Sequence, residues 1–275
     1  MPISASEFNY IRELVRQRSA IVLEPGKEYL VESRLTAVAR GEGFDSLEQF
    51  LDEMRRRPDT GLHERAVEAL TTNETSFFRD VHPFDSLRQS VLPELIQRRT
   101  AERQLVIWSA ACASGQEPYS VAMLIRESFP ALADWSVKVL ATDLSKAMLA
   151  RCREGRFTQL EINRGLPARY LVKYFAQHGG EWQIQDDIRA MVEFRELNLA
   201  GRWPAMPPPD IVFLRNVLIY FDVATKREVL AKVRLVMRPD GYLFLGGAET
   251  TINLDDAFER VTLGKSTCYR LPAKA

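Results

Sequence analysis

Leu105–Ser120 (LVIWSAACASGQEPYS) runs from an apolar strand through small residues straight into a helix start. Small side chains let a ligand approach the backbone and a helix N-terminus faces it, an arrangement that suits a nucleotide-like cofactor. The loop has one glycine, Gly115, and lacks the Gly-x-Gly-x-x-Gly spacing that cradles a pyrophosphate. A cofactor without phosphate fits better. Taken alone, Ser109–Gly115 reads equally well as an ordinary strand-to-helix turn. The balance shifts at Val137–Asp143, a second apolar strand that ends in a carboxylate, where an acid can hold two ribose hydroxyls. Ala111, Glu117, Asp143 and Asn216 form the candidate ligand set.

Those residues need elements to carry them. A third strand, Asp210–Arg215, leads into Asn216–Tyr220, and a further one, Gly241–Gly246, follows the turn at Arg238–Gly241. Strands alternating with helices imply a parallel sheet with its site at the strand carboxyl ends. Residues 1–72 show only helical patterns. Ser4 and Glu7 form a capping box ahead of Phe8, Ile11, Leu14 and Val15 on one face. A second helix follows Pro25-Gly26, with Leu30, Leu35 and Val38 expected inward and Arg34 and Arg40 elsewhere. Asp45 or Ser46 caps a third, carrying Leu47, Phe50, Leu51 and Met54; Leu62, Ala66 and Leu70 mark a fourth. Arg55–Arg57 read as a C-terminal charge cluster favoured by the helix macrodipole. Residues 73–100 form a linker, where polar Thr71–Ser76 runs into Phe77-Phe78, an anchor to the core. Residues 101–275 form the α/β domain. From about 157 to 194 the alternation breaks: a short helix near Pro167–Phe175, a Gly179-Gly180 turn, and strand-like Trp182–Ile184 and Val192–Phe194 indicate a small inserted antiparallel β subdomain.

Five ordered blocks resemble the chemotaxis receptor glutamate O-methyltransferases, the CheR family. They are Thr72–Asp80 (TNETSFFRD), Trp108–Ser120, Ala141–Asp143, Asn198-Leu199 and Arg215–Asp222 (RNVLIYFD). The resemblance implies a Rossmann-like methyltransferase sheet using S-adenosylmethionine, with S-adenosylhomocysteine as product. It implies Asn73, Thr75, Arg79, Ala111, Glu117, Asp143, Asn198, Leu199, Asn216 and Val217 as cofactor contacts, with Glu117 toward the ammonium and Asp143 on the ribose. Arg79 and Tyr220 are the implied holders of the acceptor, and Arg34 and Arg40 sit in the helix implied to dock on the cytoplasmic helical bundle of transmembrane chemoreceptors. In that family the insert can bind a receptor C-terminal pentapeptide as an added edge strand. The loop Gln177–Glu181 is short by that standard, which implies a pentapeptide-independent enzyme with His178 as a surface residue.

A sulfonium methyl is electrophilic and a glutamate carboxylate is already ionised near neutral pH, so the chemistry needs no general base. Alignment and desolvation are the task. Amine-directed methyltransferases often place Asn/Asp-Pro-Pro-aromatic after the fourth strand; here Val217 and Leu218 follow Asn216, which favours an oxygen acceptor.

The 275 residues carry a formal net charge of zero and an isoelectric point near 6.9, so there is no global basic field for nucleic acid. Residues 1–72 hold 10 Lys and Arg against 13 Asp and Glu, so any docking charge is local. Cys112, Cys152 and Cys268 lack metal-ligand spacing, and no metal is expected; an odd number of thiols suits a reducing, cytoplasmic setting. No apolar run reaches the roughly 18 residues that span a bilayer. A monomer is expected. The rival readings are a methyltransferase of small molecules or RNA, and a signalling adaptor without turnover.

Overall fold

The structure is a computed structural model that describes residues 3–57 and 61–272. The chain forms two compact units, Met1–Thr72 with Tyr220–Thr225, and Asn73–Ile219 with Lys226–Ala275.

The first unit holds α1 (Ala5–Ser19), α2 (Glu28–Gly41), α3 (Leu47–Arg56) and α4 (Gly61–Leu70). The capping box forms: Glu7 N donates to Ser4 Oγ and Ser4 N donates to the Glu7 carboxylate. Two orphan donors of the first turn are thereby satisfied. Ser46, not Asp45, caps α3, which buries Phe50, Leu51 and Met54. In α2 the buried positions are Val31, Leu35 and Ala39, while Leu30 and Val38 are only half-buried. The inward stripe thus follows the i, i+4, i+8 row one residue away from two of the expected positions. Arg55 and Arg56 occupy the last turn of α3 and Arg57 its C-cap. The Tyr220–Thr225 segment joins this unit through a bridge between Ile21 and Phe221 and a 2.9 Å bond from Val22 N to the Tyr220 carbonyl.

The second unit opens with α5 (His82–Ser86) and α6 (Leu92–Arg98), joined by a π-turn at Leu87–Val91. Pro93, without an N–H, sits where the α-helical ladder would otherwise pass, which accounts for the widened turn. There follow β1 (Gln104–Ala110), α7 (Gln116–Ser128), β2 (Ser136–Asp143), α8 (Lys146–Glu154), β3 (Arg156–Thr158), α9 (Gln159–Asn163), α10 (Ala168–Tyr174), β4 (Phe175–His178), β5 (Glu181–Ile184), α11 (Asp186–Arg189) and β6 (Val192–Glu196). Then come β7 (Ile211–Leu214), α12 (Val223–Val236), which begins in the first unit's segment, β8 (Tyr242–Leu245), β9 (Glu259–Leu263) and β10 (Ser266–Arg270).

The large sheet has the order β6-β2-β1-β7-β8-β10-β9, parallel from β6 to β8 and closed by the antiparallel β9–β10 hairpin. β1 is buried from Leu105 to Ala110, as expected of a parallel strand covered on both faces. Strand order reverses between β1 and β7, so the crevice at their carboxyl ends is the topological switch point where such sheets bind ligands. Phe77 and Phe78 anchor the linker: Phe77 meets Phe157 and Phe175 edge-on, and Phe78 stacks on Tyr170.

The insert is a three-stranded sheet, β3-β5-β4, whose β4–β5 hairpin turns at Gly179-Gly180. Val192–Phe194, read from the sequence as part of that insert, instead lies in β6 at the edge of the large sheet, pairing Val139 with Val192 and Asp143 with Glu196. Its alternating pattern suits either sheet, and only nonlocal pairing decides between them.

Candidate functional site

The loop after β1 turns through residues that side chains rarely permit. Ala111 and Ala113 have φ of 57° and 49°, and Gly115 has φ of 93°. A Cβ on Gly115 would lie 3.0 Å from Cys152 Sγ, so glycine is needed for both conformation and space. Left-handed alanines cost energy and persist where surrounding bonds over-determine them. Asp143 supplies those bonds: its Oδ2 accepts from Ala113 N at 2.8 Å and its Oδ1 from Ser145 N at 2.9 Å. Cys112 N adds a bond to the Thr142 carbonyl at 2.9 Å. The carboxylate at the end of β2 therefore shapes the loop at the end of β1.

Glu117, in the first turn of α7, is buried. Its Oε1 accepts from Ser109 Oγ at 2.8 Å and its Oε2 from Arg215 at 2.8 Å. Arg215 also donates to Asp80 Oδ2 at 2.6 Å and to the Arg79 carbonyl at 3.0 Å. Phe78, Asp80 and Val81 have φ of 48°, 67° and 52°, so the turn around Arg79 is strained and Arg215 fastens it from below the surface. Arg79 itself is half-buried and donates to the Glu74 carbonyl at 2.9 Å. Sequence reasoning missed Arg215 as the partner of Glu117; 98 residues separate them, and no local pattern signals the pairing.

Glu249 was missed as well. Its carboxylate accepts from the backbone N–H groups of Gly246 (2.7 Å), Asn216 (2.8 Å), Val217 (2.9 Å) and Ile219 (3.3 Å). These bonds hold Asn216 at φ of 59° at the carboxyl end of β7. A Cβ on Gly246 would stand 2.7 Å from both Asn216 Nδ2 and Glu249 Oε2. A glycine-glycine pair with an acid three residues on, just after a strand, is the signal that could have found this clamp.

Asn198 turns the chain after β6, its Oδ1 accepting from Ala200 N at 3.0 Å; Leu199 is buried beside it. Asn73 and Thr75 are half-buried at the head of the linker. The structure thus gathers Ala111, Glu117, Asp143 and Asn216 at the carboxyl ends of β1, β2 and β7, and ties Arg79 to them through Arg215. Tyr220 packs with the helical unit. In that unit Arg34 donates to the carbonyls of Ala69 (3.2 Å) and Thr71 (2.7 Å), closing the end of α4, whereas Arg40 stands exposed.

The cysteines offer no nucleophile. Cys112 and Cys152 are buried and share a hydrogen bond, and that contact, with burial, pushes the Cys112 thiol up. Burial raises Cys268 to about 12. The described residues contain no cluster of His, Cys, Asp and Glu able to hold a metal ion.

S-adenosylmethionine presents a ribose diol, an ammonium and a carboxylate but no phosphate. The site's chemistry fits it: Asp143 and Glu117 are carboxylates, whose oxygens accept from the hydroxyl and ammonium donors that the cofactor presents. The small-residue loop leaves the backbone approachable between them.

Residues 73–266 match the family described as "CheR methyltransferase, SAM binding domain", and residues 6–71 match "CheR methyltransferase, all-alpha domain". The chain is 41% identical over 274 residues to "Chemotaxis protein methyltransferase 1" of Pseudomonas aeruginosa, covering 98% of this chain and 99% of that one. It is 40% identical over 268 residues to "Chemotaxis protein methyltransferase Cher2" of Pseudomonas putida, covering 96% and 97%.

Proposed function

The chain belongs to the CheR methyltransferase family, and from that premise we propose that it methylates glutamate side-chain carboxylates of chemoreceptors, using S-adenosylmethionine, in chemotactic adaptation. The observation that carries the reading is the carboxylate pair at the switch point, Asp143 and Glu117, within a chain that matches both family domains in order.

When bound, the cofactor supplies an electrophilic methyl group on a sulfonium. The chain's own residues bind, orient and dry the reactants. Asp143 holds the ribose hydroxyls and Glu117 the ammonium, each already fixed by bonds to the fold. Asn73, Thr75, Ala111, Asn198, Leu199, Asn216 and Val217 complete the cofactor contacts. Arg79 and Tyr220 hold the acceptor carboxylate, whose ionisation near neutral pH removes the need for a base. The absence of any histidine in this set agrees with that chemistry.

The helical unit serves receptor docking and residues 73–100 link it to the methyltransferase domain. Arg40, exposed, is the better docking residue, because Arg34 is engaged in closing α4. The partner surface is the cytoplasmic helical bundle of the receptor, reached without a pentapeptide and by a monomer; the described residues hold no helix long and apolar enough to cross a membrane.

The test is transfer of a labelled methyl group to chemoreceptor-containing membranes, followed by alkali and trapping of methanol. Alkali-labile label on the receptor, lost in Arg79→Ala, is expected. Alkali-stable label, or cofactor binding without label, would overturn the reading.

A further inference from the structure

The loop after β6 carries Asn198 and Leu199, and the backbone carbonyls from Leu199 onward converge on one cation. Lys232 of α12 is half-buried, and its Nζ donates to the carbonyls of Gly201 at 2.8 Å, Ala200 at 3.2 Å and Leu199 at 3.4 Å. An ammonium has three donors, and here each has an acceptor in one short turn. The same ammonium lies over the Trp203 ring, 5.7 Å from its centroid. Trp203 returns to the turn through its indole N–H, which donates to the Leu199 carbonyl at 3.0 Å. Its ring meets buried Trp108 of β1 edge-on at 5.0 Å, and Trp108 Nε1 donates to Thr142 Oγ1 at 2.9 Å, one residue before Asp143. Lys232 and Trp203 therefore tie the loop after β6 to the two strands that carry Ala111 and Asp143 at their ends.

We propose that Lys232 is a positioning residue of the cofactor site, whose ammonium sets the Asn198–Gly201 turn before the cofactor arrives. The inference rests on the methyl-transfer reading above, which counts Asn198 and Leu199 among the cofactor contacts. The strand order β6-β2-β1 places this turn beyond Asp143 as seen from β1, so it lies toward the nucleoside end of a cofactor whose ribose is on Asp143. Three carbonyl dipoles aimed at one point repel one another, and without the cation the turn would open to find other donors. A turn already fixed spares the cofactor that ordering cost. The gain then appears in cofactor affinity and leaves the chemical step and the acceptor alone. A residue that merely supports the sheet would act on all three together.

The test is calorimetry with S-adenosylhomocysteine and methyl-transfer kinetics on chemoreceptor-containing membranes, using the full chain. Lys232→Met is expected to weaken S-adenosylhomocysteine binding and to raise KM for S-adenosylmethionine, each about tenfold, with kcat and KM for the receptor unchanged. Lys232→Arg keeps a cation with several donors and is expected to restore both constants to within about threefold of wild type. Trp203→Phe removes one donor from the Leu199 carbonyl, keeps a ring beneath the ammonium, and guards against misfolding of the lysine variant; it is expected to weaken cofactor binding about threefold. The two losses should be less than additive in Lys232→Met with Trp203→Phe, because both act on the same carbonyl. Unchanged cofactor affinity in Lys232→Met overturns the proposal. So does a fall in kcat together with a rise in both KM values, or a Lys232→Arg protein as weak as Lys232→Met. If no glutamyl ester forms with any of these proteins yet S-adenosylhomocysteine affinity depends on Lys232 as expected, the methyl-transfer reading fails and the positioning role stands.

Discussion

Two buried arginines occupy opposite ends of the same sheet and solve different problems. At the amino ends of the strands, Arg99 donates through Nε to fully buried Asp210 at 2.8 Å and through both terminal nitrogens to Asp240 at 2.9 and 2.6 Å. Asp210 in turn accepts from Val106 N at 2.9 Å, so this network locks β1, β7 and the turn before β8 together. At the carboxyl ends, Arg215 divides its terminal nitrogens among Glu117, Asp80 and the Arg79 carbonyl, while its buried Nε has no hydrogen-bond partner among the described residues. One network joins strand starts; the other joins strained loops. A buried ion pair is weak evidence for stability, and what matters is which groups it leaves unpaired or displaced when broken. Arg99 guards the sheet, whereas Arg215 guards the geometry of the proposed ligand-binding loops.

The strongest challenge to this contrast is to remove each arginine in turn. Arg215→Met is expected to lower kcat/KM for methyl transfer about 100-fold, because Glu117 and the Arg79 turn lose their common tether and small misplacements at a reacting centre cost that much. Arg99→Met is expected to cost about 3 kcal/mol in urea unfolding, since buried Asp210 loses its nearest cation and keeps only Val106 N and Arg238, the latter at 3.4 Å. The folded Arg99→Met protein should keep kcat/KM within about threefold of wild type. A reversal of these outcomes would merge the two networks into one role.

A smaller effect probes whether the carboxyl-end loops are held as a set. Gly246→Ala forces a methyl group against the Asn216 amide and the Glu249 carboxylate at 2.7 Å, and Glu249→Gln replaces one acceptor oxygen by a donor facing N–H groups. Each is expected to weaken S-adenosylhomocysteine binding about tenfold by calorimetry, with a stability loss of about 1–3 kcal/mol from the unsatisfied amides. An unchanged affinity in both variants would separate the Asn216 loop from the cofactor.

The smallest effect is a pH dependence at the amino end. Hydrogen bonding from Arg99 holds the Asp240 carboxyl below the usual carboxylate range. Its folded value lies below its unfolded one, so the contribution is fully present above the unfolded value of about 3.9 and is lost as pH falls through the folded value. Asp240 is partly exposed, which limits the contribution to under about 1 kcal/mol. The stability gap between wild type and Asp240→Asn should therefore close as pH is lowered from about 6 to about 2. A gap that persists at the acid end would show that packing, not ionisation, makes the contact.

Much of this was legible in the chain because its causes are local. The Ser4–Glu7 box, the Ser46 cap, the hairpin at Gly179-Gly180 and the strand-loop-helix units at Leu105–Ser120 and Val137–Asp143 each depend on a few neighbouring residues. The candidate site was proposed from the same kind of signal: small residues after one strand and an acid after the next. What only the tertiary structure decided was the pairing of distant partners. The placement of β6 in the large sheet, the use of Arg34 to close α4, the engagement of Glu117 by Arg215 and the Glu249 clamp all join groups that no window of sequence contains. A side chain's charge is written in the sequence, but its partner is set by which strand ends the fold brings to the same edge.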